Sequence, residues 1–380
     1  MVKKRIALLG ASGSIGKSTL QVIQEQSDRY ELVLATAHNN YDFLIQTAEQ
    51  FKVPNLVLTN EQLKTSINDT PAGTKLLFGE SELIRFLEDG DYDIALNAIS
   101  GSAGLRSTLA VLKTGKTLAL ANKESLVMAG HLVHQMQAQY GSSIIPVDSE
   151  HSAVFQAIGT HPNSEILKVH LTASGGAFRD LPLQDFDKIT VDQALRHPNW
   201  DMGAKVTLDS ATMFNKALEV MEARWLFHLD WSQIKAVLHP QSIIHSLVEF
   251  VDGSILAQMS TPDMKLPILY ALSYPERCKS ALVKTKLTDL PALTFGEIEP
   301  DRYPLFYLGC EAGKRGGIMP TVVNAANEAA LRLFLEKKIS FRQITDVVSA
   351  AFADADFVAE PDVETIIETN RQIYRQILAD

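Results

Sequence analysis

The sequence predicts an α/β protein with an N-terminal doubly wound parallel sheet, a central α+β domain and a C-terminal helical bundle. Three observations predict it. Short apolar runs alternate with segments of helical period up to residue 147, the next 130 residues mix strands with a long helix, and only helical periodicity remains beyond residue 304.

In order along the chain, residues 6–9, 32–36, 56–58, 94–98, 117–121 and 144–147 are apolar runs of strand length. Separated by helical segments, they read as βαβ units of one parallel sheet. Strands at 167–173 and 234–239 then bracket a Gly-rich, aromatic-bearing loop and a helix at about 211–226. Residues 279–304 have little periodicity and carry Pro291, Pro300 and Pro304, which suits a linker. Apolar residues at i, i+3, i+4 mark helices over 324–335 and 363–378, and Ser340 with Gln343 has the spacing of a capping box. The expected domains are therefore 1–147, 148–278, a linker at 279–304, and 305–380. No internal repeat or low-complexity tract points to a solenoid.

The composition excludes several classes. With 380 residues and 46% hydrophobic content, the chain can bury a large core divided over two or three domains of about 150 residues. Its 45 acidic against 35 basic side chains give a net charge of -10, which opposes the counterion release that drives nucleic-acid binding. A phosphate would have to be met by a local cluster. Cys278 and Cys310 cannot build a disulfide framework or a zinc site, and a cytoplasmic, reducing location fits them. Lys3-Lys4-Arg5 precedes only four apolar residues, where a signal peptide needs about 7 to 15. No stretch approaches the roughly 20 apolar residues of a membrane span, so neither membrane nor nucleic acid is an expected partner.

Chemistry concentrates in a few segments. Gly10-Ala11-Ser12-Gly13-Ser14-Ile15-Gly16 follows the first strand and leads into a helix. Glycines let the backbone turn tightly and approach a pyrophosphate, and the helix N-terminus offers free N–H groups, as in a Rossmann-like nucleotide site. The bland alternative is a turn that merely needs glycine. The second strand ends in Ala37-His38-Asn39-Asn40, with no carboxylate to oppose the 2'-phosphate of NADP and no Arg or Lys to attract it.

Pro146-Val147-Asp148-Ser149-Glu150-His151 places two carboxylates at the end of a strand, where open α/β sheets bind ligands and where hard oxygens suit Mg²⁺ or Mn²⁺. Taken alone, such a pair is more often a capped helix start, and it needs a third ligand. In residues 209–225, Phe214, Leu218, Met221 and Trp225 form an apolar stripe, while Asn215, Glu219 and Glu222 share another face beside Lys216. That face can hold a phosphate and a metal, or it is a solvated face with ion pairs. Ser174-Gly175-Gly176 can present N–H groups to a phosphate or form a plain turn. His197-Pro198-Asn199-Trp200-Asp201-Met202-Gly203 has the make-up of an active-site lid, although a lone loop Trp usually packs on the surface.

Taken in order with Ala121-Asn122-Lys123-Glu124-Ser125, His239-Pro240-Gln241-Ser242 and Asn324-Ala325-Ala326-Asn327-Glu328, these segments resemble the 1-deoxy-D-xylulose 5-phosphate reductoisomerases. The likeness runs from Gly10 to about Glu328. It implies a reductoisomerase that uses NADPH and Mn²⁺ or Mg²⁺ on a sugar phosphate, as a homodimer. Asp148, Glu150 and Glu219 would ligate the metal. Lys123, Ser149, Glu150, Ser174, His197, Trp200, Ser210, Asn215, Lys216 and Glu219 would meet the substrate, with Lys123 near the reacting atoms. Gly10, Ser12, Gly13, Ser14, Ile15, Asn39, Asn122, Lys123, Glu124, Gly203 and Met264 would line the cofactor. One departure is Asn39, where many relatives carry a basic residue. Among rivals, a semialdehyde dehydrogenase would need a nucleophilic Cys paired with a His, and a nucleotide-sensing regulator would keep the first domain without turnover.

Overall fold

The computed structural model describes residues 2–65, 67, 70–200 and 202–379. The first sheet is built from β1 (Lys4–Leu9), β2 (Tyr30–Ala37), β3 (Asn55–Leu58), β4 (Lys75–Phe78), β5 (Ile94–Asn97), β6 (Thr117–Leu120) and β7 (Ser143–Pro146). Connecting them are α1 (Ser14–Glu25), α2 (Tyr41–Phe51), α3 (Glu80–Asp89), α4 (Leu105–Leu112) and α5 (Lys123–Tyr140), with α6 (Ser149–Ile158) following β7. All seven strands are parallel in the order β4-β3-β2-β1-β5-β6-β7. Sequence order therefore reverses between β1 and β5, and the switch point lies beyond Leu9 and Asn97. Ile6, Ala7, Leu8 and Leu9 are wholly buried, as expected of a strand with both sheet faces covered.

Every strand read from the sequence in this region is present. β4 and α3 were not foreseen, because β4 is a four-residue strand only partly buried and gives a weak apolar signal.

The second sheet has the order β11-β10-β8-β9, from β8 (Ile166–Ala173), β9 (Ile234–Leu238), β10 (Ile244–Phe250) and β11 (Ile255–Met259). β8 and β9 are parallel and the other pairs antiparallel, the mixed character of an α+β unit. The β10–β11 hairpin was not foreseen, although Asp252-Gly253, with Gly253 at φ +87, is a turn signal. Three helices precede β9: α7 (Val191–Ala194), α8 (Ala204–Ala211) and α9 (Phe214–Phe227). Met213, Ala217, Val220, Ala223 and Phe227 pack with Val169, Leu171 and Val248 in one core. The helix expected over 211–226 is thus shorter at its start. Met213 sits at φ +61 and separates α8 from α9.

Later in the chain come α10 (Lys265–Ser273), α11 (Pro304–Arg315), α12 (Met319–Leu335), α13 (Gln343–Asp354) and α14 (Val363–Ala379). The capping box before α13 is formed: Ser340 N–H donates to Gln343 Oε1 at 2.7 Å, and Gln343 N–H to Ser340 Oγ at 3.4 Å. Between α10 and α11 the backbone is mostly irregular, with one bridge between Gly296 and Leu238.

Two compact units result. One comprises residues 1–125, 133–152 and 263–284, the other 126–132, 153–262 and 285–380. This partition differs from sequence boundaries at 147, 278 and 304, because the chain returns to its first unit. α10 packs on α1, Lys279 O accepts from Gln26 at 2.9 Å, and Ser280 Oγ donates to Glu25 at 2.6 Å. Apolar periodicity records neighbours along one helix and carries no trace of such a return.

Candidate active site

In the first unit the glycine turn is sterically required at two of its three positions. Gly10 has φ +81, and a Cβ there would lie 2.6 Å from Ala98 O. A Cβ on Gly16 would come within 2.4 Å of Gly10 O. Gly13 has no such crowding, its nearest atom lying 3.5 Å away, and it is exposed as the N-cap of α1. Ser12, Ser14 and Ile15 sit with it at the carboxyl end of β1, where the first-turn N–H groups precede any intrahelical bond.

At the next strand ends a buried polar network fixes the loops. Asn97 Nδ2 donates to Gly104 O at 3.0 Å and Thr108 Oγ1 at 2.9 Å, and Thr108 in turn donates to Ser125. Asn122 caps α5 through Ser125 N–H, while its Nδ2 lies 2.7 Å from Ile99 O, 2.8 Å from Gly101 O and 3.0 Å from Glu124 Oε2. The Asn122 side chain is committed to holding these loops, a role invisible in the sequence. At the end of β2, Asn39 Oδ1 accepts from Asn60 at 2.7 Å, and Asn40 caps α2. Met264 precedes α10.

Lys123 opens α5 and is only 7% exposed, an unfavourable place for a cation at a helix N-terminus unless it is paired. Its partner is Asp148, 2.6 Å away at the end of β7. Asp148 also starts α6, its carbonyl accepting from Ser152 N–H at 2.8 Å. The bland reading of this pair as a helix start therefore holds for Asp148, whose side chain is in addition the partner of a buried cation. Ser149 Oγ donates to Glu150 Oε2 at 2.6 Å, and the wholly buried His151 places Nδ1 4.0 Å from Asp148. His151 was not among the expected site residues; its spacing of three from Asp148 on one helix face was the signal.

The second unit carries the other expected residues. Lys216, Glu219 and Glu222 on α9 are 3%, 1% and 1% exposed, so that helix face is not solvated. Glu219 accepts from both Asn215 and Lys216, which pairs the Lys216 and Glu219 charges locally. Ser210 lies in the last turn of α8, and its carbonyl is so near Gly176 that a Cβ there would be 2.4 Å away. The Ser174–Gly176 loop therefore seats against the end of α8, with Gly175 at φ +83 and Gly176 at φ +69. Tyr303, whose hydroxyl burial pushes up to about 12, donates to Gly175 O at 2.9 Å.

The His197 ring has a defined tautomer. Backbone N–H groups only donate, and those of Asn199 and Trp200 reach His197 Nδ1 at 3.2 and 3.0 Å. The ring proton of the neutral imidazole is then on Nε2, 3.0 Å from Ser174 Oγ. That oxygen also accepts from Gly176 N–H at 3.1 Å, so the serine's own hydrogen is left to donate outward. An outward hydroxyl donor suits a phosphate oxygen. Trp200 stands 6.0 Å from the His245 ring, Gly203 precedes α8 with open space around it, and Asp201 lies outside the described residues.

A thiol nucleophile has no support at Cys310: burial pushes its thiol up to about 12.

Family models described as the 1-deoxy-D-xylulose 5-phosphate reductoisomerase domain and its C-terminal domains match residues 6–130, 144–227 and 259–376. The chain is 45% identical to the 1-deoxy-D-xylulose 5-phosphate reductoisomerase of Bacteroides fragilis, covering 99% of this chain and 98% of that protein. It is 45% identical to the Pelotomaculum thermopropionicum enzyme of the same name, over 97% and 96%. A crystal structure of DOX-P reductoisomerase with NADPH, fosmidomycin and magnesium superposes with TM-score 0.93 at 40% identity, covering 99% of this chain and 98% of that one. The Zymomonas mobilis enzyme with NADPH gives 0.93 at 37%, over 100% and 99%. Identity at this level over both units, on the fold and site chemistry described, makes the chain a member of the 1-deoxy-D-xylulose 5-phosphate reductoisomerase family.

Proposed function

We propose that this enzyme converts 1-deoxy-D-xylulose 5-phosphate to 2-C-methyl-D-erythritol 4-phosphate, a rearrangement of the carbon skeleton followed by hydride reduction from NADPH, for isoprenoid precursor synthesis. The observation that carries the reading is the buried Lys216–Glu219 pair on α9, with the half-buried Asn215 donating to the same carboxylate. A helix that only had to pack would not bury two charges on one face.

In this proposal residues 1–147 bind NADPH through Gly10, Ser12, Gly13, Ser14, Ile15, Asn39, Asn122, Lys123 and Glu124, joined by Gly203 and Met264 from later in the chain. Residues 148–278 hold metal and substrate, 279–304 link, and 305–380 support the catalytic unit. Asp148, Glu150 and Glu219 offer the hard carboxylate oxygens that suit Mg²⁺ or Mn²⁺. When bound, the cation supplies Lewis-acid polarisation of the hydroxy-ketone oxygens. Lys216, Asn215, Ser210 and the outward-donating Ser174 grip the phosphate. Lys123 and Ser149 orient the reacting end, and His197 and Trp200 cover it and exclude water.

We further propose a cytoplasmic homodimer. Two free cysteines fit a reducing compartment, and the edge strand β11 exposes Ile255 and Leu256, apolar surface that a second copy would cover.

The test is NADPH consumption, followed by absorbance, with 1-deoxy-D-xylulose 5-phosphate, with and without a chelator. Turnover abolished by chelation and restored by Mg²⁺ or Mn²⁺ is expected. Absence of substrate-dependent oxidation with metal present would sink the proposal.

A further inference from the structure

The loop between α7 and α8 carries His197 and Trp200, the latter half-buried beside the His245 ring. Two side chains of its described residues tie it by hydrogen bonds to segments beyond the flanking helices. His197 meets Ser174, and Asn199 Nδ2 places its two hydrogens on Pro240 O at 2.7 Å and Ser242 Oγ at 2.8 Å.

The receiving turn is unusually well fixed. His239 is wholly buried, and its Nε2 accepts from the N–H groups of Ile243 and Ile244 at 3.2 and 3.1 Å while Nδ1 meets Thr294 O at 2.9 Å. Gln241 ties the same turn to Thr294 through its amide at 2.9 Å. Ser242, a non-glycine residue at φ +54, is held in the left-handed region by its N–H bond to His239 O at 3.0 Å. Such a turn is a rigid acceptor platform, whereas Asn199 itself is exposed and belongs to no core.

We propose that Asn199 is a positioning residue: its amide latches the loop to the Pro240–Ser242 turn and so sets His197 against Ser174 and Trp200 beside His245. This inference rests on the reductoisomerase reading for its consequence in catalysis, but the latch itself does not. The latch adds to the stability of the arrangement that sets His197 against Ser174. Without it, binding must supply that ordering, which weakens apparent affinity in proportion to the fraction of loops out of place. Because Asn199 touches neither Ser174 nor the α9 charges, the loss should fall on KM rather than on the chemical step.

The experiment compares wild type with Asn199→Ala and Ser242→Ala by steady-state kinetics. It adds acrylamide quenching of the Trp200 emission, taken as the difference between each protein and its Trp200→Phe counterpart. Asn199→Ala should raise KM for the sugar phosphate about tenfold, the scale of two lost hydrogen bonds, with kcat changed by less than about threefold. Quenching of Trp200 should increase. Ser242→Ala keeps the bond to Pro240 and should move both readouts the same way by less, and it replaces Asn199→Ala as the deciding variant if the latter does not fold. Unchanged KM and quenching in a folded Asn199→Ala protein would overturn the latch. Should wild type fail to turn over the sugar phosphate, the reductoisomerase reading fails, while the quenching comparison still decides the latch.

Discussion

Single charges decide the chemistry at the residue scale. Glu219→Gln keeps the shape of the side chain but removes the negative charge that Lys216 and a cation would share, and Asp148→Asn does the same opposite Lys123. Turnover should fall by about a thousandfold or more in each, the scale set by removing a charge-stabilising group, with the circular dichroism spectrum unchanged. Near-wild-type rates in both, with excess Mn²⁺ ruled out as a rescue, would contradict the metal assignment. Asn39 poses a separate question, since its amide is held by Asn60 and it is neither acid nor base. Lacking the carboxylate that would bind an NAD ribose, the enzyme should favour NADPH; equal kcat/KM for NADPH and NADH would show that Asn39 has relaxed the choice. His239 gives a pH dependence of known sign. Burial holds its imidazole below the usual range, so the unfolded chain takes up a proton first as pH falls. Its contribution is fully present above about pH 6.5 and is lost progressively below that, until the folded-state value is passed. Urea midpoints at pH 7.5 and 5.5 should therefore differ more in wild type than in His239→Gln, and an equal difference would contradict this.

Secondary-structure elements were legible in the sequence where burial was complete and periodicity long. β1, β2, β5 and β6 were read because strands covered on both faces are unbroken apolar runs, and α14 because it repeats over seventeen residues. Helix breaks and long-range anchors were not legible. Met213, an ordinary helix former, adopts φ +61 only because α8 and α9 must part there, and no local propensity announces it. Nor does the sequence reveal why Asn327 matters. Its Nδ2 donates at 2.7 Å to Asp209, whose other oxygen takes Lys205 at 2.9 Å, and this ties α12 to the helix that carries Ser210. Asn327→Leu leaves one oxygen of a 1% exposed carboxylate unpaired and should cost about 1–3 kcal/mol. A chemical-denaturation midpoint equal to wild type would show that Asp209 finds another donor.

For the whole molecule, the two compact units divide the expected binding residues between them. The glycine turn, Asn39, Asn122, Glu124 and Met264 belong to the first unit, and Ser174, His197, Ser210, Asn215 and Lys216 to the second, which also holds Gly203 of the cofactor set. A net charge of -10 gives the chain as a whole no general attraction for phosphates, so binding must be local. Ligands that bind only the folded state stabilise what they touch by mass action, by about 2.7 kcal/mol at a hundredfold excess over Kd. Slow amide exchange should report this unit by unit. NADPH alone should protect the segments around residues 10–16 and 122–124 and leave 174–176 and 210–216 at their free rates. Inorganic phosphate alone should do the reverse if Ser174, Ser210 and Lys216 form the proposed phosphate cluster. Protection of 174–176 by NADPH as strong as that of 10–16 would mean that the two ligands do not sort by unit, and the assignment of cofactor to one and phosphate to the other would fall.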